Sequence, residues 1–257
     1  MYDRMKSCST PLTHLPVVST LHPRPEPHTT SPLPFLHTLE RLKTNKREGW
    51  RRFGLDHGES IADHMYRMSI ITMLCPPQLA RKLDLHRCTR MALVHDMAES
   101  LVGDITPVDG VSKAEKSRRE TETMEYLCKD LLGGYAGGAA GQEMRAVWQE
   151  YEDSETLESK FVHDVDKMEL LLQMLEYERS QQGRVDLGEF EWVATRIALP
   201  EVQEWADELL AERKKFWVDK QGAVPKAMED VSVDLRKQQD EYYGGQVNGA
   251  ARDANGA

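Results

Sequence analysis

The chain has 257 residues, 40% hydrophobic and 30% charged, enough for one sizeable soluble core. Asp and Glu outnumber Lys and Arg by 43 to 33, and the net charge of −10 argues against a nucleic-acid binder or a polybasic membrane-surface protein. No stretch approaches the ~18 uninterrupted apolar residues of a membrane span.

Residues 1–33 carry Pro11, Pro16, Pro23, Pro25, Pro27 and Pro32 among many Ser, Thr and His, which predicts a disordered arm. Phe35, Leu36, Leu39 and Leu42 then suit one short helix. Ile61, Met65, Met68 and Ile71 suit a second that runs to Cys75, with Ser60 as its cap. The stretch 88–102 reads as one buried helix closed by Gly103. Further helices are expected over 115–132, 144–151, 155–179 and 199–217, and a disordered polar tail over 219–257. No segment alternates with period two, so the expectation is an all-α helical bundle over 34–218. Cys8, Cys75, Cys88 and Cys128 are scattered without a CxxC pair, which fits free thiols in a reducing compartment, cytoplasmic or also nuclear.

The chemistry concentrates in MALVHDMAESLVGD. His95 and Asp96 interrupt an apolar helix, where an ionised carboxylate is costly unless paired or metal-bound. Glu99 follows on the same helical face, and Asp104 lies just past Gly103. The plainer alternative is a hydrogen-bonded core His95 with Glu99 turned to water. Four polar residues converging from one apolar segment favour a site. His64, in SIADHMYRM, is the best nitrogen donor upstream, and Asp164 or Asp166, in KFVHDVDKMELLLQM, could close the set downstream. Spacing separates neither Asp164 from Asp166 nor the His95-Asp96 dipeptide from His163-Asp164. Mixed imidazole and carboxylate donors suit Mn²⁺, Co²⁺, Mg²⁺, Zn²⁺ or Fe²⁺.

Taken together, the segments LKTNKREGW, ESIADHMYRM, RMALVHDMAESLVGDITP, the run from Lys113 to Glu120, and KFVHDVDKMELLLQMLEYE resemble the HD-domain metal-dependent phosphohydrolases. Within them the chain is most similar to the eukaryotic 5′-deoxynucleotidases, over about residues 35–216. The resemblance implies an HD-domain fold with His64, His95, Asp96 and Asp166 as ligands of a divalent metal. It implies Glu99 and Asp104 as catalytic groups, with Glu99, Asp104 and the Ile105 carbonyl as holders of a second ion. Substrate contacts would come from Arg47, Trp50, Asp96, Asp104, Ile105, Thr106, Pro107 and Asp166. The implied substrate is a 2′-deoxyribonucleoside 5′-monophosphate, and the implied assembly a homodimer. Bacterial relatives have Arg directly before the tryptophan; here that position is Gly49, and Arg47 is the expected substitute. Trp50 could alternatively be a structural anchor for the first helix. Other expectations are an HD phosphohydrolase for a cyclic or ppGpp-like nucleotide, or a non-catalytic nucleotide-sensing module. Against the sensor, every expected catalytic side chain is present.

Overall fold

The computed structural model describes residues 16–220. The described residues form helices and turns, and their sole β feature is an isolated bridge between Lys46 and Ser60. The chain enters through four short helices, α1 (Pro16–Thr20), α2 (Leu33–Leu39), α3 (Arg41–Thr44) and α4 (Glu48–Arg51). The single helix expected through Leu42 is therefore two, with a turn at Glu40 that still buries Phe35 and Leu42. Within the stretch expected as a disordered arm, residues 16–33 make defined contacts. Val18 lies in the core, and the His28 N–H donates to the Asp130 carbonyl at 2.6 Å. Proline excludes regular ladders but does not prevent a Val-Val-Ser-Thr turn from packing. The rest of the arm and the tail from residue 221 lie outside the described residues.

The central frame follows apolar periodicity and caps. Helix α5 (Ile61–Met73) starts at a reciprocal capping box: Ser60 Oγ accepts from the Asp63 N–H, and Asp63 Oδ2 accepts from the Ser60 N–H. Such a cap stabilises a helix start by about 1 kcal/mol. After α6 (Pro77–Ala80), helix α7 (Leu85–Val94) opens on Asp84, which accepts from the Arg87 N–H. The long helix expected over 88–102 is broken. It stops at Val94, turns through residues 95–98 and resumes as α8 (Glu99–Val102). Gly103, at φ 76°, then reverses the chain in a backbone region open to glycine at little cost.

Helix α9 (Lys113–Glu125) runs into a π-helical turn, Tyr126–Leu131, where one continuous α-helix was expected. The backbone of α10 (Ala139–Asp153) presses on that turn: a Cβ on Gly141 would stand 2.2 Å from the Cys128 carbonyl oxygen. Helix α11 (Leu157–Ser180) is the centre of the bundle, packing against α5, α7, α10 and α12 (Pro200–Asp219). It buries Phe161, Val162, Val165, Leu171 and Met174, each worth roughly 1.5–3 kcal/mol of transfer free energy. A 3₁₀ segment, Gly188–Arg196, which apolar spacing did not announce, packs on α11. No helix among the described residues is long and apolar enough to cross a membrane.

Candidate metal centre

The break after Val94 builds the site. His95 and Asp96 sit in a turn between α7 and α8 rather than inside a helix. His95 is held twice: its Nδ1 is 3.0 Å from the Ala92 carbonyl oxygen, and its own carbonyl accepts from Trp148 Nε1 at 3.0 Å. His64 comes from α5, with its Nδ1 2.5 Å from Glu169 Oε2 on α11. Acceptors at both Nδ1 atoms make these the protonated nitrogens, so the Nε2 lone pairs face the same space.

The donor atoms of His64, His95 and Asp96 lie within 4.8 Å of one another. Asp166 Oδ1 is 3.2 Å from His64 Nε2, and Asp96 Oδ2 is 3.1 Å from His95 Nε2 and 3.8 Å from His64 Nε2. Both Nε2 atoms are buried without a hydrogen-bond partner. Donors about 2.1 Å from one cation stand roughly 3.0–3.4 Å apart, depending on coordination geometry. The His64–Asp166 and His95–Asp96 separations fall in that range, and with the orphaned nitrogens and the donor types they fit one divalent metal ion.

The two His-Asp dipeptides have separate fates. Asp164 turns away from the site: its carboxylate accepts from the Ala198 and Leu199 N–H groups just ahead of α12 and pairs with Lys167. His163 Nε2 lies 2.6 Å from Ser154 Oγ and 2.9 Å from the Tyr151 carbonyl oxygen, and burial with Lys167 nearby lowers its pKa to about 4. Asp166 faces His64 and accepts from the Tyr151 hydroxyl. Burial alone would raise Asp96 and Asp166, but the facing histidines and Arg47 hold both carboxyls below their ordinary range.

A cavity of about 1090 Å³ opens over His95, Asp96 and Asp166. Arg47 reaches into it, its Nη1 3.2 Å from Asp96 Oδ2. Glu99 is buried rather than turned to water, with Lys116 Nζ 4.0 Å away. Burial, then the negative charges of Asp96 and Asp104, raise its pKa well above the usual carboxylate value. The Asn45 amide donates to the Glu99 carbonyl and Arg41 to the Ser100 carbonyl, so the start of α8 is pinned from α3. Asp104 accepts from the Glu48 N–H at 2.7 Å, which ties Arg47 and the start of α4 to the same wall. Ile105, Thr106 and Pro107 line the cavity, and Thr106 donates through N and Oγ1 to Asp109. Glu99 and Asp104 line the same cavity as the Ile105 backbone, apart from the His64, His95 and Asp96 donors. Trp50 lines the cavity yet is only 2% exposed; its Nε1 donates to Glu59, and its ring packs on Tyr177 and Phe190. It anchors the wall whatever else it touches. A Cβ at Gly49 would meet only Phe190, at 4.0 Å, and the guanidinium that pairs with Asp96 is that of Arg47.

Several participants escaped sequence reasoning. Glu169 stood as a lone acid inside MELLLQML, which was a usable signal. Tyr151 and Trp148 had none, since an aromatic at helical spacing reads as core, and Lys116 lay in the run from Lys113 to Glu120 without a role of its own.

A protein-family model described as HD domain matches residues 39–205. The chain is 48% identical to 5′-deoxynucleotidase hdd1 of Schizosaccharomyces pombe over 72% of its own length and 91% of that protein. It is 39% identical to 5′-deoxynucleotidase HDDC2 of Homo sapiens, over 70% of this chain and 85% of that one. The solved structure of HD domain-containing protein YGK1 superposes with a TM-score of 0.56 at 37% identity, covering 72% of this chain and 86% of that one. The helical HD architecture and the extent of these matches place the chain in the HD-domain 5′-deoxynucleotidase family.

Proposed function

We propose that the chain hydrolyses 2′-deoxyribonucleoside 5′-monophosphates to the deoxynucleoside and phosphate. The observation that carries this reading is the pair of buried, hydrogen-bond-free Nε2 atoms of His64 and His95 facing Asp96 and Asp166 under an open cavity. The activity named for the relatives supplies the substrate class. A divalent ion held by those four residues, Mn²⁺, Co²⁺ or Mg²⁺ and also Zn²⁺ or Fe²⁺, would polarise the phosphoryl group and acidify a water. Glu99 manages the proton: it accepts one from the attacking water as the new P–O bond forms and returns it to the departing O5′. Arg47 places a positive charge beside the phosphate, and Asp104 holds the loop that carries it. Trp50, Ile105, Thr106 and Pro107 wall the space for the sugar and phosphate.

The test is phosphate release from dAMP, dCMP, dGMP, dTMP and dUMP with Mn²⁺ or Co²⁺, before and after chelation. Metal-dependent release is the expected result, with AMP and cyclic AMP slower. No metal-dependent release from any monophosphate would refute the reading.

The homodimer is proposed with it. Tyr66, Ile70, Met73 and Leu74 leave an apolar stripe exposed along α5, a face that a second copy would cover. Light scattering should give twice the chain mass, and Ile70→Glu should return it to one.

A further inference from the structure

His64 is engaged at both edges of its ring. Nε2 faces Asp96 and Asp166, while Nδ1 meets Glu169, which is 0% exposed. The other oxygen of Glu169 accepts from Arg67 Nε at 2.8 Å, with Nη2 at 2.7 Å. Arg67 is fixed in turn by Gln173 and Glu176, one and two turns further along α11. On this side of the ring, Glu59, His64 and Glu169 form a second gathering of donor atoms within 4.8 Å. A cation could in principle sit on either edge.

Distance decides between them. Two ligands about 2.1 Å from one tetrahedral ion stand roughly 3.4 Å apart. His64 Nδ1 and Glu169 Oε2 are 2.5 Å apart, a hydrogen-bond separation with no room for an ion between them. Glu169 also already faces a cation in Arg67. Across Nε2 the separations are 3.2 and 3.8 Å, and no hydrogen bond closes them.

We propose that Glu169, backed by Arg67, is the positioning residue of the metal centre, and that the Glu59–His64–Glu169 group holds no ion of its own. Glu169 accepts the Nδ1–H of His64, which fixes the tautomer and ring angle and leaves the Nε2 lone pair directed at the site. Removing an outer partner of this kind costs about 10–100-fold in metal affinity. The inference rests on the proposed role of His64 as a ligand.

The experiment titrates Mn²⁺ into the full chain against a competing chelator, for wild type, Glu169→Gln, Glu169→Ala and Arg67→Met, with circular dichroism and Tm as controls. Wild type should bind one ion. Glu169→Gln keeps the shape and should bind ~10-fold more weakly and Glu169→Ala up to ~100-fold, with helicity retained. Arg67→Met should fall between wild type and Glu169→Gln. Nitrogen NMR of Zn²⁺-loaded, ¹⁵N-histidine wild type needs no variant and should find the His64 proton on Nδ1. Unchanged affinity in both Glu169 variants, a bare Nδ1, or a second ion lost only with Glu169 would overturn the proposal. Wild type that binds no ion at all would overturn the reading of the site, and the inference with it.

Discussion

Helix α11 contributes to two buried polar clusters that differ in one respect. Near its C-terminal end Glu178 accepts from Arg213 Nε and Nη2, Trp217 Nε1 and the Leu187 N–H, and Arg213 also reaches Asp186 and Glu191. That cluster is closed: its donors and acceptors meet one another. Near the middle of the helix Asp166 and Glu169 meet His64, and there the Nε2 atoms of His64 and His95 and one oxygen of Glu99 are buried without a hydrogen-bond partner. A closed network fastens helices together, here α11, the 3₁₀ segment and α12. An open one incurs a desolvation cost of about 1–3 kcal/mol per orphaned group, which a ligand can relieve. Between these two clusters, burial of charge does not separate the site from the staple; incompleteness does.

The comparison can be broken at either end. Glu99→Ala should cut kcat by ~10²–10⁴-fold, with metal content and Tm near wild type, measured by phosphate release and elemental analysis. Arg213→Met should leave a buried Glu178 unpaired and cost roughly 3–5 kcal/mol in urea unfolding, with metal per folded chain unchanged. Pairing it with Glu178→Leu should recover much of that loss, since neither charge is then stranded. Metal itself sharpens the contrast. At 100 times its dissociation constant, Mn²⁺ should stabilise wild type by about 2.7 kcal/mol, and Asp166→Ala should gain far less. The smallest effect concerns the cavity wall, where Trp50→Phe removes the hydrogen bond to Glu59 and should cost about 1–3 kcal/mol of stability.

What the sequence made legible was what short-range physics controls. Ser60 announced the start of α5, Gly103 announced the reversal after α8, and the apolar spacing of α11 and α12 announced their length. The interruption at residues 95–98 was not legible, because MALVHDMAESLV keeps helical periodicity through the very turn that aims His95 and Asp96. Nor was the π-helical turn Tyr126–Leu131, which accompanies the close approach of α10 to the Cys128 carbonyl. Val18 was lost to a compositional argument about proline. For the site, residue types and spacing reached His64, His95, Asp96 and Glu99. The choice between Asp164 and Asp166 stayed open, because two acids two residues apart on one helix differ only in which neighbours they meet. Asp164 meets the N–H groups leading into α12, and Asp166 meets His64.

That pair also supplies the most direct test of the central claim. Elemental analysis of Mn²⁺-loaded wild type, Asp166→Ala and Asp164→Ala measures metal per folded chain, with helicity and Tm recorded alongside. The account predicts one ion in wild type, close to one in Asp164→Ala with a lowered Tm, and a marked loss in Asp166→Ala with helicity retained. Full metal in Asp166→Ala, or metal lost from a folded Asp164→Ala alone, would contradict it.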